Sequence, residues 1–211
     1  VYHGEDLLKC SGERLRQIRG NRIAMIFQDP QSSLNPVFTI GDQIVEPIKL
    51  HLGLKSGPAM EEAVHLMEQA GIPRARERIK EYPHQFSGGM KQRALIATAL
   101  ACNPEILIAD EPTTALDTTI KAQILDIFRD LKEKRDMSIL FITHDLGTVA
   151  EIADRIIVMY GGKLAESGST LDIFDHPKHP YTVGLLNCLP DMLGQRDRLT
   201  PILGTIPSLI D

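Results

Sequence analysis

Nowhere in the 211 residues does an apolar run approach the ~18 positions that a membrane-spanning helix requires. The opening residues, Val1-Tyr2-His3-Gly4-Glu5-Asp6, lack a signal peptide's basic start and apolar stretch. The sequence therefore reads as neither secreted nor membrane-spanning. It begins with Val rather than Met, and a natural N-terminus upstream is expected. Cysteine is scarce: Cys10, Cys102 and Cys188 are far apart and odd in number, which argues against a disulfide framework or a CxxC metal site and fits a reducing cytosol. Basic excess is lacking as well, with 23 Lys and Arg against 28 Asp and Glu and a net charge of −5, so nucleic acid is not expected as a partner. Two glycine motifs are missing. No Gly is followed by another five positions later, so no phosphate-cradling GxxxxGK[ST] loop can be placed, and no GxGxxG dinucleotide fingerprint occurs.

What is present is the composition of a packed globular chain, 43% hydrophobic and 24% charged. The runs Arg22 to Phe27, Glu105 to Ala109, Ser138 to Thr143 and Arg155 to Met159 are short, apolar and rich in Ile and Val, and they read as buried strands. Between Asp117 and Arg135, Ile120, Ile124, Ile127, Phe128 and Leu131 recur at helical spacing. Strand, helix, strand in that order predicts a parallel sheet with helices against it. A second helix is predicted from Ser87 to Cys102, opened by Ser-Gly-Gly and closed by Asn103-Pro104. From Pro36 to Pro83 the strand pattern disappears, and Ala63, Val64, Leu66, Met67 and Ala70 predict an amphipathic helix stopped at Gly71. This stretch reads as a helical insertion. Arg74, Arg76, Arg78 and Lys80 follow it, interleaved with Glu77 and Glu81, as on a solvated face. A hairpin is expected after Gly161-Gly162, and His176 and His179, beside Pro177 and Pro180, are expected in a turn.

Three apolar runs end in polar residues of catalytic type: Gln28 after Phe27, Asp110 and Glu111 after Ala109, and His144 after Thr143. Ligands of open parallel sheets bind beyond the carboxyl ends of the strands, so this joint placement predicts a site there. Ser87, Gly88 and Gly89 open a helix, where unpaired backbone N–H groups and a partial positive charge suit a phosphate oxygen and no side chain obstructs its approach.

These residues resemble the ATP-binding cassette (ABC) ATPases. Phe86-Ser87-Gly88-Gly89-Met90-Lys91-Gln92-Arg93 is similar to the family's signature motif, Ile106 to Pro112 to its Walker B strand and Ala115-Leu116-Asp117 to its D-loop. Gln28 resembles the Q-loop glutamine and His144 the switch histidine, all in the family's order. IFQDPQSSLNP (26–36), PHQFSGGMKQR (83–93) and HPKHPYTVGLL (176–186) are similar to the ATPase subunits of dipeptide and oligopeptide importers, a pattern nickel importers share.

The resemblance implies an α/β P-loop NTPase (RecA-like) ABC ATPase core with a helical subdomain. It is expected to be N-terminally truncated, because the family's P-loop precedes the region matching Val1. Residues 1–35 would be the remnant of the core up to the Q-loop and 36–100 the helical subdomain with the signature. Residues 101–168 would be the core with Walker B, D-loop and switch histidine, and 169–211 a peptide-importer-type extension. The cofactors implied are ATP and Mg²⁺. Asp110, with Gln28, would hold the metal; Glu111 would polarise the attacking water, helped by His144 and Gln28. Ser87, Gly88, Gly89, Gln92 and Asp117 would meet nucleotide held by an opposite subunit. The implied partners are membrane-spanning permease subunits, a second ATPase subunit and, indirectly, an extracytoplasmic solute-binding protein, with the chain on the cytoplasmic face of the membrane. Without its P-loop the chain alone is expected to bind ATP weakly and to be inactive. No iron–sulfur cluster is expected in a tail running through Gly204-Thr205-Ile206-Pro207 to Asp211. Chromosome-maintenance and repair ATPases share the motifs but need a coiled coil between Q-loop and signature, and the 59 positions from Gln28 to Ser87 leave no room for one. Paired-cassette translation factors need a second cassette. A catalytically dead fragment or pseudo-subunit is the remaining alternative.

Overall fold

The computed structural model describes residues 1–114 and 116–188. Its contacts divide the chain into two units, Val1–Ile142 and Thr143–Asp211.

The first unit is built on three parallel strands in the order β1-β2-β3: β1 (Ile23–Ile26), β2 (Ile106–Asp110) and β3 (Ser138–Ile142). Ahead of them stands α1 (Gly12–Ile18), capped by Ser11. Tyr2, His3 and Arg22 all bond to the Glu105 carboxylate, which ties the first residues to the start of β2. Between β1 and β2 the chain makes α2 (Pro30–Ser33), α3 (Ile40–Leu52), α4 (Ser56–Gln69), α5 (Ala75–Arg78) and α6 (Gly88–Ala99). The insertion is thus helical, as its lost strand pattern predicts. α3 was not legible as one helix because Pro47 interrupts it, removing a backbone donor from the helical ladder. The helix survives because Ile40, Ile44, Val45 and Ile48 are buried, and packing outweighs the missing bond. Gly53 ends α3 in the left-handed conformation (φ +66°).

β2 and β3 are joined by α7 (Thr118–Lys134), within one residue at each end of the stretch expected from its periodicity. Its N-cap Asp117 accepts from Ile120 N at 3.0 Å. In the strand register, Ile26, Ala109 and Phe141 align, and Phe128 of α7 meets Phe141 edge to face, ring centroids 5.3 Å apart. Helices α6 and α7 therefore cover one face of the sheet, where Ala24, Ile26, Leu107 and Ala109 are buried. The expectation of strands buried on both faces is corrected on the other side. There Met25, Ile108 and Leu140 align, and Met25 and Leu140 are 39% and 50% exposed. No helix among the described residues of this unit shields them.

The second unit holds α8 (Leu146–Ile152) and an antiparallel hairpin of β4 (Arg155–Tyr160) and β5 (Lys163–Ser169), followed by α9 (Thr170–Asp175) and α10 (Pro180–Asn187). Gly161 and Gly162 turn the hairpin with φ of +54° and +72°, the conformation a two-residue loop demands. Ile156, Val158 and Ile173 form the core of this unit. β4 too is buried on one face only, with Ile157 and Met159 each 61% exposed on the other. The Glu166 carboxylate accepts from the backbone N–H groups of Lys178 and His179. His179 caps α10, its Nδ1 accepting from Tyr181 N, so the His-Pro segment is a turn and helix start. The segment Gly204 to Pro207 lies outside the described residues.

Candidate active site

Gln28 sits two residues past β1, and Asp110 ends β2 with Glu111 immediately after it. Because β1 and β2 are parallel and in register, both polar ends emerge at the same edge of the sheet. There the Gln28 Nε2 donates to Glu111 Oε2 at 3.0 Å. A second bond reaches the same oxygen from the Thr114 hydroxyl at 2.7 Å. The Glu111 backbone is held as well: its N–H donates to Ile142 O at 2.9 Å, and its φ of +46° lies in the left-handed region. A non-glycine residue there carries backbone strain, and such strain concentrates at functional positions. Thr114 is the site residue the sequence reading missed; its signal was the hydroxyl three positions after the acid in Glu-Pro-Thr-Thr.

Asp110 aligns with Ile142 on β3 and lies on the open face of the sheet with Ile108. Beyond Gln28, Asp29 caps α2 by accepting from Gln31 N at 2.8 Å. That backbone N–H, helped by Ser32, holds the Asp29 carboxyl below the usual carboxylate range. The cap fixes the direction in which the chain leaves the site for the insertion.

The signature residues stand at the start of α6. Ser87 is its N-cap and accepts from Met90 N at 3.4 Å. The two glycines do different things. A Cβ on Gly88 would meet nothing within 4 Å, whereas one on Gly89 would lie 2.7 Å from Ile120 Cγ2 on α7. Gly88 leaves the helix end open, and Gly89 lets α6 and α7 approach. Gln92 is 2% exposed, and its Nε2 has no hydrogen-bond partner among the described residues. Asp117 caps α7, Ala115 of the same segment lies outside the described residues, and His144 falls in the second unit, directly before Asp145, the N-cap of α8. The structure thus joins Gln28, Glu111 and Thr114 by hydrogen bonds beside Asp110, and sets Ser87, Gly88 and Gly89 at a helix start.

The donor set fits Mg²⁺, a hard cation that takes oxygen ligands and keeps several waters. Asp110 and Gln28 bring a carboxylate and an amide oxygen, the Gln28 Nε2 being turned to Glu111. Among the described residues no group of three or more His, Cys, Asp or Glu is placed to hold a metal ion as an all-protein cage.

Fold and site together define an α/β domain with polar residues assembled at the carboxyl edge of a parallel sheet. The chain belongs to the ABC transporter family, whose model matches residues 1–114. A second family, the oligopeptide/dipeptide transporter C-terminal region, matches residues 165–211. A putative peptide import ATP-binding protein of Brucella melitensis, BMEII0863, is 53% identical over 210 residues, covering 97% of this chain and 62% of that protein. The dipeptide transport ATP-binding protein DppD of Bacillus subtilis is 52% identical over 209 residues, 99% of this chain and 62% of that one. The chain therefore spans about three-fifths of the length of these relatives. Among solved structures, a dimeric post-hydrolysis state of the ATP-binding cassette MJ0796, bound to ADP and Pi, superposes with a TM-score of 0.69 at 27% identity. That match covers 77% of this chain and 68% of that one. The ABC cassette fold expected from the motifs is the fold observed.

Proposed function

We propose that this chain is part of the ATP-hydrolysing subunit of an ABC importer that drives uptake of dipeptides or oligopeptides. The observation that carries the reading is the Glu111 carboxylate, gripped by Gln28 and Thr114 at the end of the central strand next to Asp110. Phosphoryl transfer to water needs an oriented water, neutralised phosphate charge and little else from the protein. Glu111 is the base that polarises the water, and the two bonds on Oε2 aim the carboxylate. Bound Mg²⁺ would neutralise phosphate charge, held by Asp110 and Gln28. His144 would donate to the γ-phosphate. Ser87, Gly88 and Gly89 would offer a hydroxyl and backbone donors to nucleotide held by an opposite subunit, with Gln92 and Asp117 supporting that surface. The dimeric state of MJ0796 supports pairing with a second ATPase subunit.

A peptide solute is favoured over nickel by the match to the oligopeptide/dipeptide C-terminal region and by relatives named for peptide and dipeptide import. No described helix is long and apolar enough to cross a membrane, so the channel would be a separate permease, with this subunit on its cytoplasmic face and an extracytoplasmic binding protein delivering solute. The insertion offers a place for the permease. A groove of about 800 Å³ opens between α2, α3 and α6, lined by Leu34, Phe38, Asp42, Gln43, Glu46 and Leu95. Its exposed Phe38 and two acids suit a permease segment that is apolar with a basic flank.

The test is Glu111→Gln in the complete subunit assembled with its permease. ATP binding persists while steady-state hydrolysis falls by about 10²–10⁴-fold, the usual worth of a positioned base; hydrolysis at the wild-type rate would falsify the reading. Peptide, and not Ni²⁺, is expected to stimulate the wild-type complex.

A further inference from the structure

The last turn of α4 is held by two arginines from elsewhere in the first unit. Arg93 of α6 donates Nη1 to the carbonyl of Ala70, the α4 cap, at 2.7 Å, and Nη2 to Gln123 Oε1 on α7 at 2.8 Å. Arg135, directly after α7, donates Nη2 to Gln69 Oε1 of α4 at 2.7 Å and Nη1 to Asn103 Oδ1, just before β2, at 2.9 Å. Gln123 and Arg135 are 12 positions apart, about 18 Å along the helix. One helix end is thus tied to two well-separated points on another. Two further features belong to the arrangement. Gly71 has φ +73°, and a Cβ there would collide with Arg93 Nη1, so the chain leaves α4 through a residue that makes room for the guanidinium. Gln69 is also bonded to His65 one turn earlier, which steadies the amide that Arg135 reads. A planar fork that bonds in two directions at once is a property of Arg that Lys does not share.

We infer that Arg93 and Arg135 are positioning residues, a two-point clasp that makes the helical insertion and α7 move as one piece. The inference rests on the proposed transport reading and deepens it. α4 packs on α3, which lines the groove where the permease would press. Asp117, the N-cap of α7, lies six residues after Glu111. A push on the insertion therefore arrives at the segment that follows the Glu111 carboxylate, with no need for the nucleotide to touch either arginine.

The test removes the α7 half of the clasp while leaving helix packing intact. Gln69 and Gln123 are exposed, and the double variant Gln69→Ala/Gln123→Ala takes away one acceptor of each arginine, leaving Ala70 O and Asn103 Oδ1, without touching the arginines or the site. In the complete transporter, basal hydrolysis is expected to stay within about twofold of wild type while stimulation by solute is lost. Gln69→Glu/Gln123→Glu, which offers each guanidinium a carboxylate, restores stimulation. Independently of hydrolysis, amide exchange in residues 118–123 is expected to speed up at least about fivefold in the alanine variant, with α6 unchanged. Full stimulation in the alanine variant, with exchange as in wild type, overturns the clasp and leaves the ATPase reading standing. A wild-type transporter that hydrolyses no ATP overturns that reading, and exchange in residues 118–123 then decides whether the clasp holds α7.

Discussion

Cys102 shows what burial does to a single group. It is 8% exposed and its Sγ points to Pro47 O, 3.5 Å away. Burial pushes the thiol up to about 11. The sign is that of an acid whose charged form is disfavoured, so the native protein keeps Cys102 protonated throughout the physiological range. At pH 8 roughly one molecule in a thousand carries the thiolate, the reactive species. Ellman's reagent is expected to leave Cys102 unmodified in the folded chain at pH 8 and to react with it in denaturant; rapid labelling of the native Cys102 would contradict the burial argument. Glu111 is the opposite case, an exposed-edge acid defined by what grips it. The sequence named the acid and the amide, Gln28, from strand ends alone. It did not name Thr114, because a hydroxyl in a turn carries no periodic signal, and its role depends on where the turn folds back.

At the scale of elements, helix starts were legible because their caps are chemical. Ser87 and Asp117 stand at the N-caps of α6 and α7 and each accepts from the backbone N–H three residues on. The two signature glycines were legible only as a pair. Ala is favoured over Gly in a helix by up to about 1 kcal/mol, so Gly88→Ala is expected to be neutral or slightly stabilising. At position 89 the new methyl meets Ile120, and overpacking of this kind costs about 1–3 kcal/mol. Urea unfolding should therefore give Gly88→Ala a midpoint at or above that of wild type and Gly89→Ala one below it. Equal midpoints would mean that α6 and α7 are not in contact there. α3 escaped the sequence reading for the converse reason. Pro47 breaks the local rule, and only burial of Ile40, Ile44, Val45 and Ile48 restores the helix.

For the whole molecule, the open sheet face matters most. A parallel sheet ordinarily has both faces covered, yet here Met25, Phe27, Leu140 and Ile142 remain exposed in the first unit, and Ile157, Met159 and Leu164 in the second. The 211-residue chain studied by itself is expected to bind an apolar dye such as ANS and to self-associate with rising concentration. Dye fluorescence and light scattering check this, and a monomer with no dye signal would mean that the faces are shielded. Titration calorimetry of the same 211 residues with Mg-ATP is expected to show only weak binding, because no glycine-rich loop is present to cradle the phosphates.

The sequence by itself determined the alternation of strands and helices, the residues at strand ends and the family they belong to, because periodicity, caps and motif spacing act within a few residues of chain. Only the tertiary structure decided that Thr114 shares Glu111 with Gln28, that Gln92 is buried, that Gly88 and Gly89 serve different ends, and that the strands are covered on one face. Each of these depends on which surfaces meet, and two surfaces far apart in the chain meet only when the packing of everything between them has been settled.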